Sequence, residues 1–487
     1  MTSQKPAANE PLAAEHPRSE PAKFVTGSTM RHVVVMTATG SIGLVAVFIV
    51  DALNLFYISL LGQQELAAAI GYAGTLLFFS TSIAIGLSIA ATALTARALG
   101  RGNRSEAREI AGASLAYMII IMTSTVALTY PFLGDLVLMM GAKGETANLA
   151  TEFMQIVLPS LPILGIGMCL SALLRAVGDA KRAMYVTLGA GALTAVLDPV
   201  FIFGFDLGIH GAAIATVISR FALVGIGFYS LLRVHNLVAM PSTKIIRREI
   251  RPFLAIGLPA LMTQIATPVG NTFVTMTMAQ HGDSAVAGWA VVGRLIPVAF
   301  GALFALSGAV GPILGQNYGA KRYDRLISTM RDSLLFITIY TLVTWAVLAL
   351  FRNQIADIFG ATGEARAVIV FFCLFVAGSF VFNGMLFVAN AAFNNLGYAL
   401  YSTVFNWSRS TLGVIPFVWL GSLWYGAQGA LAGYGLGAVV FGLASIVVCF
   451  RVITKIEDRD GGGADELVVR TPPAGQSAFT SGKASTL

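Results

Sequence analysis

The chain is short of charge. Only 11% of its 487 residues are Asp, Glu, Lys or Arg, whereas soluble proteins carry roughly 25%. Mean hydropathy is +0.77, and 56% of the residues are hydrophobic. These values exclude a water-soluble globular fold and are typical of an integral membrane protein.

Other absences narrow the function. The three cysteines (Cys169, Cys373 and Cys449) all lie in apolar runs, so no disulfide framework is expected. The phosphate-binding sequence GxxxxGK[ST] is absent, so ATP is not expected to supply the energy. None of the five histidines lies deep in an apolar run, which argues against a catalytic zinc site. No cofactor and no nucleic-acid partner are expected.

Long apolar stretches are abundant instead. A membrane-spanning helix needs about 20 mostly apolar residues, and twelve stretches of the sequence meet this requirement. They cover approximately 33–61, 67–96, 109–131, 152–176, 183–204, 209–233, 252–281, 285–314, 327–351, 367–393, 400–421 and 427–452. Residues 1–28 and 456–487 are rich in Pro, Gly, Ser and charge, which predicts disordered cytoplasmic tails.

The basic residues set the orientation. With twelve spans both termini lie on one side of the membrane, and 25 of the 31 Lys and Arg residues fall on that side. Three lie on the opposite side, and Arg220, Arg294 and Arg409 lie within spans. Because cytoplasmic loops carry the excess of Lys and Arg, both termini are predicted to be cytoplasmic, in the inner membrane of a bacterium.

The sequence also contains an internal repeat. MGAKGE at 140–145 matches FGATGE at 359–364, and Gly178 in RAVGDA aligns with Gly397 in NNLGYA, both at an offset of 219. Near the starts of the halves the offset is 220. The predicted fold is all-α, with two pseudo-symmetric six-helix bundles, 29–238 and 239–455, around a central cleft. A transporter keeps its site in such a cleft, and we expect it to function as a monomer.

Carboxylates are rare within the spans. Asp51 and Asp198 alone lie deep in a span, both in the first half, and Asn271 is the counterpart of Asp51 in the second. An ionisable group in the membrane interior is expensive and indicates function. A carboxylate facing an intermittently wetted cavity can exchange a proton or bind Na⁺. Asn54, one turn after Asp51, and Thr216 are candidates to join this cation-coupling site.

Neutral polar residues of the second half form stripes on helix faces. Such stripes line a water-filled surface or tie helices together. The candidates for the substrate cleft are Gln264, Asn271, Asn383, Asn390 and Arg294. The three arginines within spans either pair with carbonyl groups and carboxylates or form a patch that attracts anions.

Several motifs in order make the chain resemble the multidrug and toxic compound extrusion (MATE) family over about residues 30–453. They are the span-1 Asp before LGQQELAAA, LRAVGDAKRAMY, LDPVFIFGFDLGIHGAAIATVISR, GLPA at 257–260, VVGRLIPVAFG at 291–301 and GPILGQNYGAKRYDR at 311–325.

The resemblance implies a V-shaped pair of bundles that exports amphipathic, often cationic compounds in exchange for Na⁺ or H⁺. It also implies a cation site in the first half, where Asp51, Asp198 and Thr216 match the family's positions and Thr194 replaces its Asn. The family's proline near the start of span 1 is missing, with Met36 and Thr37 near that place. The acids of one subgroup in spans 7 and 10 are missing too, so the chain looks closer to the DNA-damage-inducible F-like branch.

Three functional hypotheses follow. The first is a secondary antiporter, not an enzyme, in which H⁺ or Na⁺ bound at Asp51 and Asp198 opposes the binding of a small amphipathic substrate. The alternative keeps the architecture but moves a lipid-linked anionic precursor, attracted by the arginines within spans. A distant alternative is an intramembrane hydrolase that uses the two aspartates, although no GxGD motif accompanies them.

Overall fold

A computed structural model of the protein describes residues 22–59 and 64–470, and this part of the chain contains helices and no strands. The helices of the first half are α1 (Thr29–Ser59), α2 (Gln64–Gly100), α3 (Arg104–Thr129), α4 (Leu133–Met139), α5 (Gly144–Val157), α6 (Leu161–Val177), α7 (Ala180–Pro199) and α8 (Gly208–Phe228). Those of the second half are α9 (Thr243–Ala279), α10 (Asp283–Ala299), α11 (Gly301–Gly319), α12 (Tyr323–Leu350), α13 (Arg352–Ile358), α14 (Gly363–Phe371), α15 (Phe380–Leu396), α16 (Ala399–Ser408) and α17 (Ile415–Arg470).

Most of these helices, alone or joined end to end, are long enough to cross a membrane. In the described part of the chain, ten stretches are sufficiently long and apolar, and the bent pair α10 and α11 makes an eleventh. The stretch Ala399–Asp460 contains 62 residues. At 1.5 Å per residue it amounts to about 90 Å of helix, which is enough for two crossings.

This last stretch folds back on itself at Tyr425 and Gly426, whose backbone angles are not helical. Its two arms run antiparallel with their backbones in contact. A methyl group on Gly421 would lie 2.0 Å from the carbonyl oxygen of Gly429, and one on Gly437 would lie 1.8 Å from that of Gly413. Small residues allow such approach between helices in lipid. The prediction of twelve spans is therefore confirmed, and spans 11 and 12 form a helical hairpin.

The two halves repeat the same structure. Six pairs of helices begin at residues separated by 219 positions: α2 and α10, α3 and α12, α4 and α13, α5 and α14, α6 and α15, and α7 and α16. The aligned glycines behave alike, because Gly178 and Gly397 end their helices in the left-handed conformation with φ of +93° and +92°. Only glycine adopts this conformation readily. The predicted duplication is confirmed.

The first span of each half keeps the other predicted offset. A methyl group on Gly191 would lie 3.2 Å from Cγ2 of Val50. In the second half, the residue equivalent to Gly191 is Ser410, whose Cβ would lie 3.3 Å from a methyl group on Gly270. Val50 and Gly270 therefore occupy equivalent positions, separated by 220 residues, as the sequence predicts for this part of the repeat.

The predicted tails need correction at their inner ends. Residues 22–28 are packed rather than disordered: Lys23–Val25 form a 3₁₀ turn, and Phe24 is 1% exposed. A single aromatic residue in a polar segment gives no periodic signal, so sequence analysis misses it. Helix α17 continues to Arg470, beyond the predicted start of the second tail at 456. The boundary between the bundles at 238/239 stays a prediction.

The backbone contact within the hairpin of spans 11 and 12 is testable. We expect Gly437→Val to separate the two arms. The free energy of unfolding should fall by about 1–3 kcal/mol, the usual cost of overpacking. Thermal unfolding of the purified protein in detergent measures the loss. The control is Gly225→Val, since no atom lies within 4 Å of a methyl group at that position. Equal unfolding temperatures for the two variants would contradict the hairpin packing.

Candidate functional site

The carboxylate of Asp198 is at a change in helix geometry. It is followed by Pro199, which lacks a backbone N–H and whose ring interferes with the carbonyl of the preceding turn. Helix α7 ends here, and the chain continues as a π-helical turn over Val200–Gly204. Turns of this kind inside helices are frequent at functional sites. The break lies in the half of the membrane away from the termini.

Asp198 contacts Asn54 of the first span. The side chain of Asp198 is completely buried, and Nδ2 of Asn54 donates a hydrogen bond of 3.0 Å to its Oδ2. The other carboxylate oxygen, Oδ1, has no hydrogen-bond partner among the described residues. A buried polar atom without a partner is costly and calls for an explanation. A proton or a bound cation would satisfy this oxygen.

Two predicted threonines lie near Asp198 but do not bond to it. Thr194 is one turn earlier on α7, hence on the same helix face, and its hydroxyl donates to the carbonyl oxygen of Ala190 at 3.1 Å. Thr216 donates to the carbonyl oxygen of Ala212 at 2.9 Å. Each hydroxyl uses its proton on its own helix, so its oxygen lone pairs stay available for a cation.

The packing of α8 against the end of span 5 sets the height of Thr216. A methyl group on Gly211 would lie 2.6 Å from the carbonyl carbon of Phe201. Since the two segments run antiparallel, Thr216 lies within about one helical turn of Asp198 along the axis. The backbone of Asp51 belongs to α1. Its side chain lies outside the described residues, so the role of this carboxylate stays a prediction.

The predicted cleft residues of the second half separate into two groups. Gln264 and Asn271 are half-buried on α9, and Arg294 is exposed on α10. Asn383 and Asn390, by contrast, are only 3% and 7% exposed. These two amides are therefore buried in this structure.

The arginines within spans also differ from one another. Arg220 is buried in the first half, where its Nη1 donates to the carbonyl oxygen of Val157 at 3.0 Å and to Oγ of Ser160 at 2.6 Å. It satisfies a break in span 4 between α5 and α6. Arg409 is buried in the second half and donates to Oδ1 of Asn383 at 2.7 Å.

The two halves are joined on the side of the termini. Arg97, near the end of α2, donates from Nε and Nη2 to the carbonyl oxygens of Asn395 and Asn394 at 2.8 and 3.0 Å. These carbonyls belong to the last turn of α15, where helix carbonyls lack partners within the helix. The guanidinium group of Arg97 also lies 5.6 Å from the ring centre of Tyr318.

Close backbone contact accompanies these hydrogen bonds. A methyl group on Gly100 would lie 2.0 Å from the carbonyl oxygen of Gln316, and one on Gly319 would lie 2.1 Å from that of Arg97. Gln316 donates from Nε2 to the carbonyl oxygen of Ala176 at 2.7 Å. We call this contact between α2, α11, α15 and the end of α6 the terminal-side seal.

The amino-terminal segment strengthens the seal. The backbone N–H of Phe24 donates to Oε1 of Gln316 at 2.9 Å, and Nζ of Lys23 donates to the carbonyl oxygen of Gly178 at 2.7 Å. Arg325 donates to the carbonyl oxygen of Phe24 at 2.8 Å. The segment thus bridges both halves. These hydrogen bonds between the halves all lie on the side of the termini.

Sequence analysis does not identify the residues of the seal. The available signal is the pair Gln316 and Asn317, two amides next to each other in an otherwise apolar span. The motif GPILGQNYGAKRYDR contains them, but without the fold it does not reveal their partners, which lie in α6 and in the amino-terminal segment.

Comparison with known proteins decides the family. A family model described as MatE matches residues 41–200 and 259–420, one match in each half. The chain belongs to the MatE family. MATE proteins are transporters that use ion gradients, so this chain is a multi-pass membrane transporter and the hydrolase hypothesis is wrong.

Curated relatives carry transport names. A protein of Shewanella oneidensis named FAD transporter is 27% identical over 429 residues, which are 87% of this chain and 94% of that protein. The multidrug export protein MepA of Staphylococcus aureus is 22% identical over 420 residues, covering 85% of this chain and 92% of the relative.

Solved structures match over nearly the whole fold. The MATE transporter VcmN from Vibrio cholerae, in its bent form, superposes with a TM-score of 0.84 at 24% identity, covering 88% of this chain and 98% of that one. A transporter of the MOP superfamily from Pyrococcus furiosus gives 0.83 at 21% identity, with 90% and 99% covered. These matches confirm the two-bundle fold around a central cleft.

The seal gives a prediction for this MATE protein. We expect Gly319→Val to prevent the closed arrangement, because the added carbons would overlap the carbonyl oxygen of Arg97. Spin labels at Arg101 and Lys321, both exposed beside the seal, should move apart by several ångströms in double electron–electron resonance measurements. Gly225→Val is the control and should leave the distance unchanged. Identical distance distributions in Gly319→Val and the unsubstituted protein would contradict the seal.

Proposed function

We propose that this protein is a secondary antiporter that exports amphipathic compounds in exchange for H⁺ or Na⁺. Asp198 is the coupling residue, Asn54 orients it, and Thr194 and Thr216 offer oxygen ligands. Asp51 completes the site from the first span. The function requires no ATP.

The observation that carries the proposal is the half-satisfied carboxylate. One oxygen of Asp198 accepts from Asn54 and the other has no described partner, in a fully buried position. A pair of charges or a charge with incomplete hydrogen bonds is unstable in such a place. Binding of H⁺ or Na⁺ removes the deficit, and a site that is stable only when loaded responds to an ion gradient.

The repeat supports a functional origin of this carboxylate. At an offset of 219, the counterpart of Asp198 is Phe417, and at 220 the counterpart of Asn54 is Val274. The scaffold of the second half therefore folds without a polar pair at the equivalent place. The second half shows that the fold does not require this polar pair. Ion coupling requires it in only one half.

Antiport requires that ion and substrate favour opposite states of the cleft, since a ligand that binds both states equally shifts nothing. When the terminal-side seal is closed, Asp198 lies in the opposite half of the membrane from the seal. Loading of Asp198 from that side, followed by opening of the seal, would carry the ion across. Substrate taken up with Asp198 unloaded would return the protein to the closed state.

The substrates are proposed to be small and amphipathic, with cationic compounds among them. The name of the staphylococcal relative is that of a multidrug exporter, and the name of the Shewanella relative is that of a flavin dinucleotide transporter. Gln264, Asn271 and Arg294 are the accessible polar residues that we propose for the cleft. The sixteen methionines of the chain suit an adaptable apolar surface.

The lipid-precursor alternative loses support from the position of Arg220. That hypothesis needs the three arginines within spans to attract one anionic head group. Arg220 instead donates to two oxygens inside the first bundle, so it does not belong to a shared patch with Arg409 of the second bundle.

The location follows from the charge distribution. We propose a bacterial inner-membrane protein with both termini, and therefore the terminal-side seal, in the cytoplasm. Membrane lipid surrounds the twelve spans, and one chain contains both bundles that form the cleft. A monomer is thus sufficient for transport.

We expect Asp198→Asn to abolish gradient-driven transport, by at least about tenfold, because the amide neither titrates nor binds Na⁺ as a carboxylate does. Ethidium transport into proteoliposomes would be measured under an imposed pH gradient and then under an imposed Na⁺ gradient. The gradient that drives transport identifies the ion.

The matched control is Asp206→Asn, a change of the same chemistry at an exposed position seven residues beyond Pro199. It should transport like the unsubstituted protein. Full gradient-driven transport by Asp198→Asn would refute the proposed coupling role, whereas loss in both variants would indicate a general defect.

A further inference from the structure

The second half contains a buried cation near the middle of the membrane. Arg409 is 5% exposed and stands where α16 gives way to a π-helical turn over Arg409–Gly413. It is ten residues from the start of α16, which is about 15 Å into a hydrocarbon layer of about 30 Å. A charge at this depth is expensive and indicates a functional role.

The guanidinium group of Arg409 has few partners for its five N–H donors. Nη1 donates to Oδ1 of Asn383, and Nε has no acceptor. Among the residues that the structure describes, no carboxylate forms an ion pair with Arg409. Arg97, half-buried near the end of α2, and Arg220, buried within a span, each donate to two oxygens. Arg409 is therefore held in place but not neutralised.

The groups beside Arg409 also have hydrogen atoms to donate. Because Oδ1 of Asn383 accepts from Arg409, its Nδ2 points elsewhere, and this atom has no partner. The hydroxyl of Ser410, the next residue in the π-helical turn, has none either. A positive charge with unused donors on neighbouring groups matches the oxygens of a carboxylate or a phosphate, which accept several charge-assisted hydrogen bonds.

Arg409 lies beside the span that joins the second bundle to the first. Ser410 packs against Gly270 of α9, and α9 itself touches the first half, where a methyl group on Gly86 would lie 2.9 Å from the carbonyl oxygen of Gly257. Asn271, next to Gly270, is half-buried, and its Oδ1 has no partner. Span 7 thus packs against both the first half and the turn that holds Arg409, and it carries a further polar atom without a partner beside that turn.

The fold does not require this cation. At the offset of 219, Ala190 corresponds to Arg409 and Leu164 to Asn383. Residues 190–194 continue the regular α-helix α7, whereas Arg409–Gly413 form a π-helical turn. At this position the first half has neither the charge, the amide nor a widened turn, and its own π-helical turn lies further along span 5, at Val200–Gly204. The charge and the amide are additions to the second half.

We propose that Arg409, together with Asn383 and Ser410, binds an oxyanion group of the transported compound, either a carboxylate or a phosphate. The compounds recognised at this site are zwitterionic or anionic amphiphiles, a class that extends beyond the cationic compounds considered above. The first half holds the negative site and the second half the positive one. This binding does not depend on which ion drives transport.

Equilibrium binding of two related dyes to the purified full-length protein tests the proposal. Rhodamine B carries a free carboxylate, and in rhodamine 6G that carboxylate is an ethyl ester. Fluorescence anisotropy in detergent gives both affinities. We expect Arg409→Gln to weaken binding of rhodamine B at least about tenfold, since hydrogen bonds to charged groups contribute strongly, and to leave binding of rhodamine 6G within about twofold.

A second variant keeps the test valid if Arg409→Gln does not fold. Asn383→Asp places a carboxylate against Arg409 and so supplies the missing anion from within the protein. It should be at least as stable to heat as the unsubstituted protein and should also lose the preference for rhodamine B. Arg409→Lys, which keeps the charge but not the planar group, should retain an intermediate affinity.

Competition distinguishes the two oxyanions. Benzoate and phenyl phosphate share a ring and differ in the anionic group, and the one that displaces rhodamine B from the unsubstituted protein identifies the preferred oxyanion. The binding measurement needs no ion gradient and no change at Asp198, so failure of the coupling proposal and failure of this one give different results. Unchanged binding of rhodamine B to folded Asn383→Asp, and to Arg409→Gln if that variant folds, would overturn the proposal.

Discussion

The hydrocarbon layer contains no water to satisfy a polar group, so each buried donor or acceptor within a span must find its partner in the protein or in a ligand. Most polar side chains of the described chain obey this rule locally. Thr194 and Thr216 donate to the carbonyl one turn earlier, and Arg220 caps the broken fourth span. For the same reason, a buried polar atom that has no partner in the protein indicates a ligand. Asp198 and Arg409 each make one good hydrogen bond and leave another atom unsatisfied.

These two exceptions stand on a duplicated scaffold in different halves. The halves share helix boundaries and the left-handed glycines at 178 and 397, so packing alone explains the common parts. It does not explain an acid and amide pair in the first half or a base and amide pair in the second. Charges of opposite sign in separate bundles allow an ion and a substrate to act on different walls of one cleft.

The terminal-side seal gives the two states of the cleft a physical basis. Gly100 and Gly319 bring backbones of the two halves into contact, and Arg97 uses the free carbonyls at the end of α15. The amino-terminal turn at Phe24 joins both sides through Gln316. Such a contact is either closed or open. The glycines bring the two backbones into direct contact, and they have no side chain that could bridge a partly opened interface. A transporter needs this kind of bistable contact.

The membrane class, the twelve spans, the duplication and the family can all be read from the amino-acid sequence, because hydropathy, repeat spacing and motif order are properties of the chain along its length. The sequence also named Asp198, Asn54 and Arg409, since a polar residue in an apolar run is visible without a fold. The pairing of Asn54 with Asp198 and the contact of Asn383 with Arg409 became apparent only in the folded protein. The fold alone showed that Phe24 belongs to the seal. Each of these contacts joins residues far apart in sequence, and which face of a helix meets which neighbour is fixed by packing rather than by the local pattern.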